Sequence, residues 1–148
     1  MNDARGTARG IFLIVAAVWA GAIIGVSFIA TPVKFQAPSL TIPVGLEIGR
    51  YTFRLFARVE LVFLIALIVT AFLARPRRVT LVALAIVAAA VLLERHWLLP
   101  VLDARVSQIL AGGAISFSSS HWVYAALEAV KAALLIAAAG TEYRYQVR

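Results

Sequence analysis

The stretch that most constrains this chain runs from Ser118 to Gly140. It is long enough to cross a bilayer as a helix, yet it carries three ionisable residues, His121, Glu128 and Lys131. At about 100° per residue these project near one another, together with Tyr124 and Leu135. The opposite face is Val, Ala, Leu and Ile. A charge at membrane depth costs roughly 2.5–3.5 kcal/mol even on the lenient insertion scale. The stripe must therefore face protein or water, and the rest of the chain has to supply helices that cover it.

Those helices are legible. Gly10 to Val33 runs without a charge and reads as a first span, too long for the apolar core of a signal peptide. Thr31-Pro32 is expected to end it, because a residue before Pro avoids the α region. Gly21-x-x-x-Gly25 permits close helix contact, most simply inside the same monomer. Lys34 to Pro43, with Pro38 and Pro43, reads as a loop.

A long helix is predicted from about Val44 to Leu73. At ~1.5 Å per residue it measures roughly 45 Å, against a hydrocarbon core of ~30 Å, so its first part projects beyond the bilayer. Glu47, Arg50, Arg54 and Arg58 form one charged stripe on it. The three arginines are candidates for a lipid headgroup or another anion, the plainer reading being a snorkelling edge. Glu60 falls on the other side with Phe53, Phe56 and Phe63, and is expected to point into the bundle.

Arg75-Pro-Arg-Arg78 is a tight basic turn. Val79 opens a third span, which Glu94-Arg95-His96-Trp97 closes at the membrane interface. Pro100 is expected to break or kink the helix. A short helix from Val101 to Leu110, with Asp103 and Arg105 outward, ends at Gly112-Gly113. From Glu142 onward the sequence reads as a polar tail. The expected fold is an all-α integral membrane protein, an antiparallel bundle of four transmembrane helices in one domain. The spans fall at about 10–32, 53–74, 79–98 and 119–140.

Composition narrows the function classes. Of the 148 residues 63% are hydrophobic, well above the half that is usual for a soluble domain. The net charge of +7 would suit nucleic acid, but no basic, aromatic-interleaved surface accompanies it. Basic residues flanking the spans suit anionic headgroups instead, so the expected partner is the lipid bilayer and not a nucleic acid. With no cysteine, disulfides, thiolate metal sites and a cysteine nucleophile are excluded. The dense turn Arg75 to Arg78 favours an inner (plasma) membrane protein with cytoplasmic termini.

Glu128 and Lys131 are i, i+3 neighbours and can pair. The bland reading is a buried ion pair that neutralises itself, with His121 at the helix mouth. The functional reading is a site for a proton, an ion or a small ligand, joined by Tyr124 and by Glu60 from the second helix. His96 and His121, each followed by Trp, could ligate a haem between helices. Glu60, Glu94, Asp103 and His121 could form a carboxylate–histidine metal site. No nucleophile motif, phosphate loop or dinucleotide fingerprint appears, so an enzyme is the minority reading and no cofactor is implied.

Trp19-x-Gly21, Phe28 and Phe35 at intervals of seven, then Gly49 with Leu55-Phe56, resemble the first half of the transmembrane protein 205-like family. Trp97-Leu-x-Pro100 and the following His121 resemble its second half. The resemblance implies a small four-span membrane protein and carries no established activity. The chain departs from the family pattern at Ala57, where Pro is usual, at Ala125, where a small hydroxyl residue is frequent, and at Glu128, where Asn is usual. Three roles follow as expectations: binding or moving a small ligand, ion or proton; an accessory subunit or homo-oligomer packing in a larger membrane complex; a haem- or metal-holding redox protein.

Overall fold

The computed structural model describes residues 2–113 and 119–146. Four helical rods are long and apolar enough to cross a membrane. The first, α1, covers residues 2–36; α2 is Ile42–Ala74, α3 Arg78–Leu110 and α4 Ser119–Gln146. Among the described residues there is no strand. Each rod packs against its neighbours in a ring: α1 lies along α2 and α4, α3 along α4, and α2 meets α3 mainly toward the end bearing the α1–α2 connection. That end is called the loop end below. The opposite end holds the N-terminus and the basic turn.

The core follows a spacing of alternating threes and fours. On α1 it is Phe12, Ala16, Trp19 and Ile23; on α2 it is Leu64, Leu67 and Ala71. On α3 it is Leu84, Val87 and Val91, and on α4 Leu135 and Ala138. This is the repeat that keeps one seam facing neighbouring helices. The outward faces are equally apolar: Ile14, Val62 and Phe72 are 65%, 67% and 81% exposed. Water would not tolerate so continuous an apolar exterior. The chain is a small multi-pass, integral membrane protein.

Several expected boundaries move. α1 starts at Asn2, not Gly10, and Thr31-Pro32 does not end it, because Pro32 sits in the first turn of a short segment where its missing N–H costs little. Pro100 likewise sits in the first turn of Leu99–Leu110, so α3 stays helical to Leu110. Gly112, in the left-handed region at φ 91°, then closes the rod, with Gly113 N bonded to Gln108 O at 2.9 Å. Asp103 faces α2 rather than outward: both Arg54 Nε and Nη2 lie 2.7 Å from its Oδ2.

Gly21 and Gly25 do not meet another helix of the chain, since a Cβ at either would find no atom within 4 Å. The close approach lies elsewhere. A Cβ on Gly45 would stand 2.4 Å from the Phe35 ring, and one on Gly49 would stand 2.7 Å from Lys34 Nζ.

Two rods depart from α geometry. α1 makes a π-helical stretch at Ile24–Ala30, and α3 makes one at Glu94–Leu98. A π turn inserts an extra residue and re-aims the side chains beyond it, and such turns recur at functional sites.

Candidate functional site

The core seams of α2, α3 and α4 carry acidic residues that meet inside the bundle. On α2 Glu60 precedes Leu64 and Leu67 in the same four-three rhythm. On α3 Glu94 follows Leu84, Val87 and Val91, and on α4 Glu128 and Lys131 precede Leu135 and Ala138. All four ionisable residues are at most 2% exposed. Counted from the basic turn, Glu60 lies 15 residues back from Arg75 and Glu94 16 residues on from Arg78. Both are thus about 22–24 Å from that end, near the middle of the 33-residue rods α2 and α3.

Lys131 is the hub. An ammonium has three donors, and each of the three goes to a different carboxylate. Nζ lies 2.7 Å from Glu60 Oε1 and 2.8 Å from Glu128 Oε1, and it also bonds Glu94 Oε2. Each of α2, α3 and α4 therefore contributes a carboxylate to one cation. α1 adds neutral donors: Trp19 Nε1 to Glu60 Oε1 at 3.1 Å, and Ser27 Oγ to Glu128 Oε2 at 3.1 Å. Ser27 lies within the π-helical stretch of α1, and Glu94 opens that of α3. Tyr124, one turn before Glu128, is 2% exposed. Glu94 Oε1 is the exception: it is buried with no hydrogen-bond partner among the described residues.

Electrostatics follow from the count. Three carboxylates face one ammonium in a dry interior, so full ionisation leaves an excess of two negative charges. Several kcal/mol of desolvation per ion oppose such a state. The cluster is relieved by taking up protons or another cation. Oxygens of Glu60, Glu94 and Glu128 lie within 4.8 Å of one another, which suits a shared metal ion in principle. Lys131 Nζ, however, already bonds all three, so a metal would have to displace it.

An apolar layer separates the cluster from the loop end. Ala57, Leu98, Leu99 and Tyr124 are buried there, with Phe53 against Tyr124 at 4.8 Å between ring centroids. Above that layer lies a cavity of about 80 Å³ shared by all four helices. Toward the other end the main core fills the bundle, and a second polar node closes it. Glu142 is fully buried and accepts from Arg77 N at 3.0 Å and Thr80 Oγ1 at 2.7 Å. It also lies 3.2 Å from Arg9 Nε. The expected polar tail is therefore helical to Gln146, and Glu142 ties α4 to α1 and to the start of α3.

Of the sequence candidates, Glu128, Lys131, Glu60 and Tyr124 come together. His121 does not: it is exposed and lines the cavity above the layer. His96 is exposed in a different groove, with Arg54, Arg58 and Arg95. The two histidines thus do not face one another across a haem-sized space. Asp103 stands with Arg50 and Arg54, away from the cluster. Glu94 was expected at the interface and is instead fully inside. Its signal was the rhythm Thr80, Leu84, Val87, Val91, which lands on Glu94 three residues later.

Against known families, the model described as Domain of unknown function (DUF4149) matches residues 14–110. The chain belongs to the DUF4149 family. The matched part of this DUF4149 protein contains Trp19, Ser27, Glu60 and Glu94, while Glu128, Lys131 and Glu142 lie beyond it. No curated protein and no solved structure matches the chain.

Proposed function

We propose that this DUF4149 protein binds and moves protons through the Glu60–Glu94–Glu128–Lys131 cluster. The observation that carries the reading is Glu94 Oε1, a buried carboxylate oxygen without a partner beside an ammonium shared three ways. A proton on Glu94 removes one excess charge and needs no cavity. The cavity at the loop end and the single Phe53–Tyr124 layer beneath it give a route from the loop-end face past Tyr124 to Glu128.

Proton uptake into proteoliposomes under an imposed potential tests this. The wild-type protein should acidify the lumen faster than empty vesicles, and Glu94→Gln should abolish the difference. Wild-type flux equal to that of empty vesicles would end the reading, and so would Glu94→Gln flux equal to wild type.

In this reading the protein resides in the inner (plasma) membrane with cytoplasmic termini, on the strength of the Arg75–Arg78 turn. A Cys placed at Gln36 should then be labelled from outside intact cells and one at Arg77 should not. The likeness to the transmembrane protein 205-like family is compatible with the four-span architecture and adds no activity. A second reading, an accessory subunit, draws on one observation: Ala17 and Gly21 lie exposed on the outer face of α1, where a neighbouring membrane helix could approach closely.

A further inference from the structure

The cavity above the Phe53–Tyr124 layer has a charge composition of its own. Its walls are largely apolar, with Phe35, Leu46, Leu102 and Val106 among them, and it occupies about 80 Å³ between the loop ends of all four rods. That is room for on the order of five waters. Two cations line it, Lys34 and Arg50, together with one carboxylate, Asp103, and the imidazole of His121. Lys34 has no carboxylate within ion-pair distance among the described residues. Its Nζ lies where a Cβ on Gly49 would stand 2.7 Å away, so a side chain at position 49 would push the ammonium aside.

Arg50 is held, and its ion pair with Asp103 is a long one. Its Nη2 donates to Ser107 Oγ at 3.0 Å and to Asp103 O at 3.4 Å. Its Nε is buried with no hydrogen-bond partner, and Asp103 Oδ1 stands off at 4.0 Å. The other oxygen of Asp103 is taken by Arg54, through both Nε and Nη2. Arg50 and Arg54 therefore share one carboxylate, and Lys34 has none among the described residues. Lys34 and Arg50 are both half-buried, and with Arg54 against the single Asp103 they leave an excess of two positive charges that a bound anion would reduce.

We propose that this cavity binds a small monovalent anion between Lys34 and Arg50, a short-chain carboxylate being the best match. The carboxylate would take charge-assisted bonds from both cations. One or two carbons would meet the apolar walls, as in other ligand sites that combine apolar lining with a few convergent polar groups. The site is separate from the proton cluster: it depends on Lys34 and Arg50, whereas proton movement depends on Glu94 and Lys131.

The test is calorimetric titration of the purified full chain in detergent with sodium acetate, and separately with sodium chloride. Saturable binding of acetate with a Kd of about 1 mM or tighter is expected. Lys34→Gln and Arg50→Gln should each weaken it at least about tenfold, with Arg144→Gln, at the other end of the bundle, unchanged. Tighter binding of chloride than acetate would overturn the carboxylate assignment. The absence of saturable binding of either anion to folded wild type would overturn the site, and so would unchanged binding in both glutamine variants. A readout on the wild-type chain covers the case in which a variant does not fold. Acetate should slow modification of Lys34 by an amine-directed reagent, and an unaltered rate would overturn the proposal.

Discussion

Ser27 and Glu128 stand 101 positions apart in the chain and meet at 3.1 Å, Oγ to Oε2. The contact is made within the π-helical stretch Ile24–Ala30, which re-aims the last turns of α1. Ser27→Ala would leave that oxygen of Glu128 one donor short. The expected loss is about 1 kcal/mol, read as a lower midpoint of thermal unfolding in detergent. An unchanged midpoint would mean that the serine is incidental to the cluster.

Lys131 serves three carboxylates, so a simple pair exchange does not repair its loss. Lys131→Met should destabilise by about 3–5 kcal/mol, the usual cost of removing one partner from a buried ionic network. Adding Glu128→Gln should recover only part of this, because Glu60 and Glu94 remain. Glu60→Gln, Glu94→Gln, Glu128→Gln and Lys131→Met together should recover most of it. Full recovery by the Glu128→Gln, Lys131→Met double variant would reduce the cluster to an ordinary pair.

How much of this was legible in the sequence depends on periodicity. The four spans follow from long apolar runs, and Glu60, Glu128 and Lys131 from their place on a stripe. The burial of Glu94 and Glu142 was not legible, because each stands beside other polar residues, Arg95 and His96 in one case and Thr141 and Tyr143 in the other. Such clusters read as span ends, although the four-three rhythm runs straight through both glutamates. His121 was drawn toward Glu128 by the same rhythm, but it lies at the start of α4, beyond the Phe53–Tyr124 layer. Each π-helical stretch ends two residues before a proline, Pro32 and Pro100, a position that reads in the sequence as a helix break and not as a π turn.

Glu142 should act as a structural tie alone. Glu142→Ala removes the acceptor of Arg77 N and Thr80 Oγ1 and the counter-ion of Arg9. A loss of about 1.5–3 kcal/mol is expected in detergent unfolding. Proton flux per folded molecule should match wild type, and a lost flux in folded Glu142→Ala would extend the working site to this node.

The glycines divide by location. Gly45→Ala pushes a methyl into the Phe35 ring and should cost roughly 1–3 kcal/mol through overpacking. Gly25→Ala meets no neighbour and should stay within about 0.5 kcal/mol of wild type. Equal effects at the two positions in thermal unfolding would contradict the packing described for α1 against α2.

The central claim is that the buried cluster holds a proton, and infrared spectroscopy observes that proton directly. Wild-type protein in lipid at neutral pH should show the carbonyl stretch of at least one protonated carboxylic acid. That band should shift on deuterium exchange and vanish in Glu60→Gln, Glu94→Gln, Glu128→Gln. A wild-type spectrum with no protonated carboxyl at neutral pH would contradict the account, as would a band that persists in the triple variant.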